Sequence, residues 1–432
     1  MMDIRAMYKE KLTTADEAVS LIKDGSSVAV PVAVGQPPTL INALARRKDQ
    51  FNRCELLTVV DVYPTLFHNS ERDPAFILDY SYCIAQRKGL QEGKYVYTPG
   101  RLGDVPRWPD WGRKFNVVMF QAAPMDSHGY LSLGLSCDYT LPWAREADLV
   151  LVQVNENMPR TFGQNFVHIS EITALIEDNV PLATLPEAPP NDNEKIIGQY
   201  IADLVEDGAC IQLGIGGIPN AAALALEDKK DLGIHTEMVA DSMRVLWEKG
   251  VVTNRKKTFM PDFMCCTFAL GSRELYDWLD DNPMVQFYPT DFVNNPEVIA
   301  RIDNMVSVNS TMEMDLSGQA CSESIGHIPY THTGGQADFV LGASKSKNGK
   351  SILAFESAAI TREGLVSKIV PHLKPGSFVT TTRYDVQYAV TEYGVAQLKG
   401  QNMWERVKRL INIAHPNFRD QLRFEAQKAR FI

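Results

Sequence analysis

Residues 209–239 open with Ala209-Cys-Ile-Gln-Leu-Gly-Ile-Gly-Gly-Ile-Pro-Asn220 and close with Gly233-Ile-His-Thr-Glu-Met-Val239. The first five residues are apolar enough for a buried strand, Ala209–Leu213, and the glycines beyond them make a turn. Pro219 suits the first position of a helix, and Ala221-Ala-Ala-Leu-Ala-Leu226 is strong helix former, so a helix is predicted from Pro219 to about Lys230. A break at Gly233 precedes a second strand from Ile234. The stretch therefore reads as one βαβ unit. Parallel crossovers are right-handed almost without exception, and the carboxyl ends of their strands share one sheet edge, where open α/β sheets bind ligands. Glu237, 21 residues beyond Gly216, should thus face the same crevice as the Gly214–Ile218 turn.

Such a pairing has a chemical use. An unprotonated glutamate can attack a thioester carbonyl while backbone N–H groups hold the oxygen that becomes negative, and glycines let the substrate come close. Spacing alone leaves the plainer alternative open, in which the turn only satisfies packing and Glu237 is one of many solvated carboxylates.

The same grammar occurs once more. Leu21-Ile-Lys-Asp-Gly-Ser-Ser-Val-Ala-Val-Pro-Val-Ala-Val-Gly-Gln-Pro37 parallels Leu204-Val-Glu-Asp-Gly-Ala-Cys-Ile-Gln-Leu-Gly-Ile-Gly-Gly-Ile-Pro219, each running from helix end through an Asp-Gly turn and apolar strand to Gly-x-Pro and a helix (Thr39–Arg47 and Asn220–Lys230). This implies a duplicated α/β domain, with the boundary in Leu185-Pro-Glu-Ala-Pro-Pro-Asn-Asp-Asn193, whose prolines suit neither a helix interior nor a central strand. The expected domains are 1–185 and 186–432. A length of 432 residues accommodates two.

With 43 basic and 53 acidic residues the net charge is −10, which argues against nucleic acid or an anionic membrane as the main partner. No apolar run approaches the roughly 18 residues of a membrane span and the N-terminus lacks a signal-peptide core, so a cytoplasmic protein is expected. Seven cysteines (54, 83, 137, 210, 265, 266, 321) show no Cys-x-x-Cys spacing and read as buried thiols.

Four segments in order, Gln212–Asn220, His235-Thr-Glu-Met238, Gly334-Gly-Gln-Ala-Asp-Phe339 and Thr391-Glu-Tyr-Gly-Val-Ala396, together resemble the acetyl-CoA hydrolase/transferase family of class I CoA-transferases, most closely its 4-hydroxybutyrate branch. Pro124–Tyr130 and Met158–Thr161 fit as well. The resemblance implies two similar open-sheet α/β domains with the active site at their interface, and Glu237 as a nucleophile that carries CoA between acids through an acyl anhydride and a glutamyl-CoA thioester. It implies that Gln212, Leu213, Gly214, Ile215 and Gly216 line the thioester, that Gly335 and the backbone near Met312 touch CoA, that no metal or permanent cofactor is needed, and that the protein is a homodimer. Butyryl-CoA or 4-hydroxybutyryl-CoA with acetate are the expected substrates. Acyl-CoA hydrolysis and a non-catalytic CoA or sugar-phosphate sensor are the rivals.

Other residues carry two readings each. His235 would share a strand face with Glu237 and orient it, or would serve the core; Lys350 would meet a CoA phosphate, or would be a solvated loop lysine. Glu356 and Glu392 read as structural. His327 and His332 lack zinc-motif spacing, and Ile218-Pro219 stands where a dinucleotide fingerprint needs its third glycine. The 124–140 and 155–161 turns are expected to rim an acyl pocket, and the glycine-rich 332–342 segment to be irregular.

Overall fold

A computed structural model describes residues 3–68, 70–81, 87–362 and 364–432. Two compact units form. The first comprises Met1–Leu185, Cys265–Val293 and Tyr330–His332; the second comprises Pro186–Met264, Asn294–Pro329 and Thr333–Ile432.

The first unit holds a six-stranded parallel sheet of β1 (Ser27–Val32), β2 (Cys54–Val59), β3 (Phe76–Ser81), β4 (Val117–Ala122), β5 (Leu149–Val154) and β6 (Ala174–Glu177) in the spatial order 3-2-1-4-5-6. Strands covered on both faces need nearly continuous apolar runs, which Val-Val-Met-Phe at 117–120 and Leu-Val-Leu-Val at 149–152 supply. Pro31 sits inside a central strand, where a missing N–H would break the ladder. The pairing with β2 slips by one residue between Ala29 and Val32, so the proline occupies a bulge, and the Val32 N–H is taken by Asp138 Oδ2 at 2.8 Å. Helix α1 (Pro38–Arg46) buries Leu40, Ile41 and Leu44 in one core with Val28, Val30 and Met119.

The second unit repeats the plan. Its strands β7 (Cys210–Leu213), β8 (Gly233–Ile234), β9 (Met305–Ser310), β10 (Lys350–Ala354), β11 (Tyr388–Thr391) and β12 (Gly394–Gln397) lie in the order 8-7-9-10-11-12, parallel except for the closing β11–β12 hairpin. Helix α2 (Asp192–Leu204) precedes β7, and α3 (Gly217–Ala225) links β7 to β8. The two helices meet at Gly198, where an added Cβ would stand 2.6 Å from the Ala221 carbonyl oxygen.

The structure corrects several expectations. The crossover helix begins two residues earlier than predicted and ends at Ala225, because Leu226–Asp228 turn away. Strand β8 stops at Ile234, so Glu237 sits in a bend and strand alternation does not relate it to His235. The 332–342 segment contains a regular helix, α4 (Gln336–Lys345). Leu131, Leu133, Leu135, Cys137 and Tyr139 are fully buried, so most of the 131–140 stretch is core rather than rim. The six described cysteines are free and buried; Cys83 lies outside the described residues. No helix among the described residues is long and apolar enough to cross a membrane.

Candidate active site

Strands β7, β8 and β9 are parallel neighbours, so the segments beyond their carboxyl ends emerge on one edge of the second unit's sheet. Gly214–Gly216 come directly after β7, Glu237 three residues after β8, and Met312 two after β9. The chain reverses its direction of winding between β7 and β9, the place where open α/β sheets leave a ligand crevice.

The glycine turn has physical reasons for its composition. Gly216 adopts φ 123°, ψ 179°, a conformation closed to other residues, and it caps α3 with no side chain bonded to the helix N-terminus. At the positive end of the helix dipole the Glu194 carboxylate packs on Gly217, where an added Cβ would lie 2.0 Å from Glu194 Oε1. Gln212 and Leu213 are buried. Gln212 exchanges two amide hydrogen bonds with Asn309 of β9: its Nε2 donates to Asn309 Oδ1 at 3.3 Å, and Asn309 Nδ2 donates to Gln212 Oε1 at 3.1 Å. Side-chain amides thereby lock the two strands at the edge from which Gly214, Ile215 and Gly216 emerge partly or fully exposed.

Glu237 is largely withdrawn from solvent. Asn294 Nδ2 donates to Glu237 Oε2 at 2.6 Å. Gly335, the N-cap of α4, packs directly on the carboxylate: a Cβ there would lie 1.9 Å from Glu237 Oε2 and 2.2 Å from Asn294 Nδ2. Only glycine fits. Burial pushes the Glu237 carboxyl up to about 7, with the Asn294 hydrogen bond pulling the other way. The group is therefore poised to be an available anion near neutrality and a neutral acid below it, as a carboxylate nucleophile requires.

Of the residues singled out from the sequence, Glu237 and Gly335 come into contact, while Gln212–Gly216 and Met312 reach the same sheet edge. Met312 is half-buried, and its N–H donates to the Cys321 carbonyl at 3.1 Å. Sequence reasoning misses Asn294: a lone asparagine 57 residues beyond Glu237 belongs to no motif, and only the fold brings it there. His235 is fully buried, 6.3 Å ring to ring from Phe339, which favours the core role. Lys350 Nζ donates to the last carbonyl of α2, Leu204 O, at 2.7 Å and pairs with Glu206 at 3.1 Å, so it closes a helix end. Glu392 accepts from Ser357 N at 2.8 Å and from its hydroxyl at 2.5 Å, and Glu356 from Asn191 Nδ2 at 3.1 Å, both structural. His332 Nε2 lies 2.6 Å from the Thr98 carbonyl oxygen, within the first unit.

Comparison with known proteins gives this edge its class. Residues 1–186 match the acetyl-CoA hydrolase/transferase N-terminal domain and residues 271–426 its C-terminal domain. The chain belongs to the acetyl-CoA hydrolase/transferase family, and is by class a CoA-transferase enzyme. It is 44% identical to the 4-hydroxybutyrate coenzyme A transferase of Clostridium kluyveri, over 99% of this chain and 100% of that one, and 37% identical to the butyryl-CoA:acetate CoA-transferase of Anaerostipes caccae, over 99% and 98%. Among solved structures, RipA from Yersinia pestis superposes with a TM-score of 0.92 at 39% identity, covering both chains completely. Neither domain match spans 187–270, which holds the glycine turn and Glu237; the full-length relatives align across it.

Proposed function

We propose that the protein transfers CoA between a short-chain acyl-CoA, 4-hydroxybutyryl-CoA or butyryl-CoA, and a carboxylate such as acetate, with Glu237 as the covalent carrier. The observation that carries this reading is the Glu237 carboxylate at a parallel-sheet edge, pressed on Gly335 and raised to about 7 by burial. In the first step a Glu237 oxygen forms a bond to the acyl carbonyl carbon and the C–S bond breaks, giving an acyl-glutamyl anhydride and CoA thiolate. The thiolate then attacks the glutamyl carbonyl, releasing the acid and leaving CoA as a thioester on Glu237. The acceptor acid reverses both steps, so no proton or water is consumed and the thioester's free energy is kept.

In this scheme the N–H groups of Ile215 and Gly216 serve the developing oxyanion, while Gln212, Leu213 and the Gly214 N–H, which donates to the Val308 carbonyl at 2.9 Å, hold that turn in place. Gly335 and the Met312 backbone border the CoA. The names of the relatives at 44% and 37% identity support four-carbon acyl groups. The reading includes the domains 1–185 and 186–432, a homodimer, a cytoplasmic enzyme and no permanent cofactor. Initial rates test it: CoA should move from butyryl-CoA to acetate, and a Glu237→Gln variant should transfer none. Release of free CoA at the same rate without any added carboxylate would instead make the enzyme a hydrolase.

A further inference from the structure

We propose that Glu323 is a positioning residue of the transfer site: its buried carboxylate holds Thr333 and, with it, the glycine pair whose backbone walls the Glu237 carboxylate. The proposal rests on Glu237 being the nucleophile.

Every residue involved belongs to the second unit. Gly335 lies so close to Glu237 Oε2 that a small shift of its backbone would push the carboxylate aside or set it free. Yet Thr333-Gly334-Gly335 is a stretch that its own residues leave loose. Gly334 takes φ 60°, where an added Cβ would meet nothing within 4 Å, and Gly335 opens α4 with no side-chain cap. Two tethers flank the pair. On one side Thr333 Oγ1 donates to Glu323 Oε2 at 2.8 Å; on the other Gln336 Nε2 donates to Thr381 Oγ1 at 3.0 Å. Glu323 Oε1 in turn accepts from Thr380 Oγ1 at 2.9 Å, so both tethers lead to the adjacent residues Thr380 and Thr381. The glycines are strung between two fixed points.

A carboxylate is a demanding group to put in this place. Glu323 is buried, and among the described residues its hydrogen-bond donors are the two threonine hydroxyls. Burial of a charge against neutral donors is unfavourable, and two threonines need no charge between them in order to pack. What the charge supplies is strength and direction. Hydrogen bonds to a carboxylate are roughly twice as strong as neutral ones, and each threonine must turn its one proton inward. Thr380, with its proton committed to Glu323, accepts from Ser322 N at 2.9 Å, and Ser322 Oγ donates to Thr311 Oγ1 at 2.9 Å. Thr311 precedes Met312, so the node that fixes the Gly335 backbone also fixes the segment read as bordering CoA.

The test compares whole-enzyme variants in CoA transfer from butyryl-CoA to acetate, with kcat, KM and melting temperature measured for each. Thr333→Val removes the hydroxyl and should lower kcat about 30-fold with KM for butyryl-CoA within about 3-fold, because the wall acts on the orientation of the attacking oxygen. Thr333→Ser keeps the hydroxyl and should hold kcat within about 3-fold of the parent. Glu323→Gln should lower kcat as Thr333→Val does, and combining the two should lower it by less than about 3-fold more, since they act as one unit. A lower melting temperature with kcat unchanged in Thr333→Val marks a purely structural role and overturns the proposal. So does an equal fall in Thr333→Val and Thr333→Ser, or a double variant in which the two losses multiply. Should Glu323→Gln not fold, the Thr333 pair decides alone. CoA recovered on a residue other than Glu237 in the parent enzyme would instead remove the nucleophile itself, so the two failures are distinguishable.

Discussion

At the residue scale the proposed chemistry depends on a carboxylate placed where water is scarce. A carboxyl pushed up to about 7 titrates above its unfolded value, so the folded protein binds the proton more tightly between roughly 4.5 and 7. The burden of the buried charge is accordingly absent below about 4.5, grows as pH rises, and is complete above about 7. Glu237→Gln should therefore melt at a higher temperature than the parent at about pH 8 and at an equal one at about pH 4.5; calorimetry at both values checks this. The proposed nucleophile is the anion, so the transfer rate should rise with pH through about 7. Gly335→Ala places a methyl group 1.9 Å from Glu237 Oε2, and should lower the transfer rate about 100-fold by displacing the carboxylate while the far-ultraviolet spectrum stays native. The pairing of Gly216 with Glu237 is legible in the sequence because a crossover has a nearly fixed length. Asn294 is not, since its closeness to Glu237 is created by folding across 57 residues.

At the scale of elements, the glycine turn and the helix packing beneath it position everything else. Gly216→Ala forces a methyl-bearing residue into φ 123° and should destabilise by about 1–3 kcal/mol in denaturant titration while raising KM for acyl-CoA. Lys350→Met removes the cation that closes α2 at Leu204 O; its thermal midpoint should fall slightly and its KM should not move, which separates helix capping from phosphate binding. Sequence propensity extends helix α3 five residues too far because Leu226-Glu-Asp-Lys-Lys230 contains good helix formers. The structure ends it at Ala225, where the chain turns towards β8, and tertiary geometry overrides propensity. Strand β8 is shorter than its apolar pattern suggests, which is why His235 and Glu237 part company: one enters the core near Phe339 and the other meets Asn294. The glycines at 334 and 335 do not interrupt α4; they stand just before it, as its lead-in and its N-cap.

At the scale of the whole molecule, the echo between residues 21–37 and 204–219 foretells two sheets built alike, and the strand orders 3-2-1-4-5-6 and 8-7-9-10-11-12 show that each carries the motif's strand inside the sheet, flanked on both sides. What the echo does not specify is the return of Cys265–Val293 to the first unit, because a long excursion carries no repeat of its own. The six cysteines among the described residues are buried, with the Cys54 thiol pushed up to about 12 and that of Cys210 to about 11. A Cys83→Ser variant should accordingly show no fast-reacting thiol until denaturant is added. The central claim is covalent, and it is tested most directly by mass. The enzyme is incubated with butyryl-CoA, quenched in acid and digested, and the peptide containing Glu237 is sequenced. The expected result is CoA joined to Glu237 as a thioester that disappears when acetate is supplied. CoA on any other residue, or a Glu237→Ala variant that transfers at the parent's rate, would contradict it.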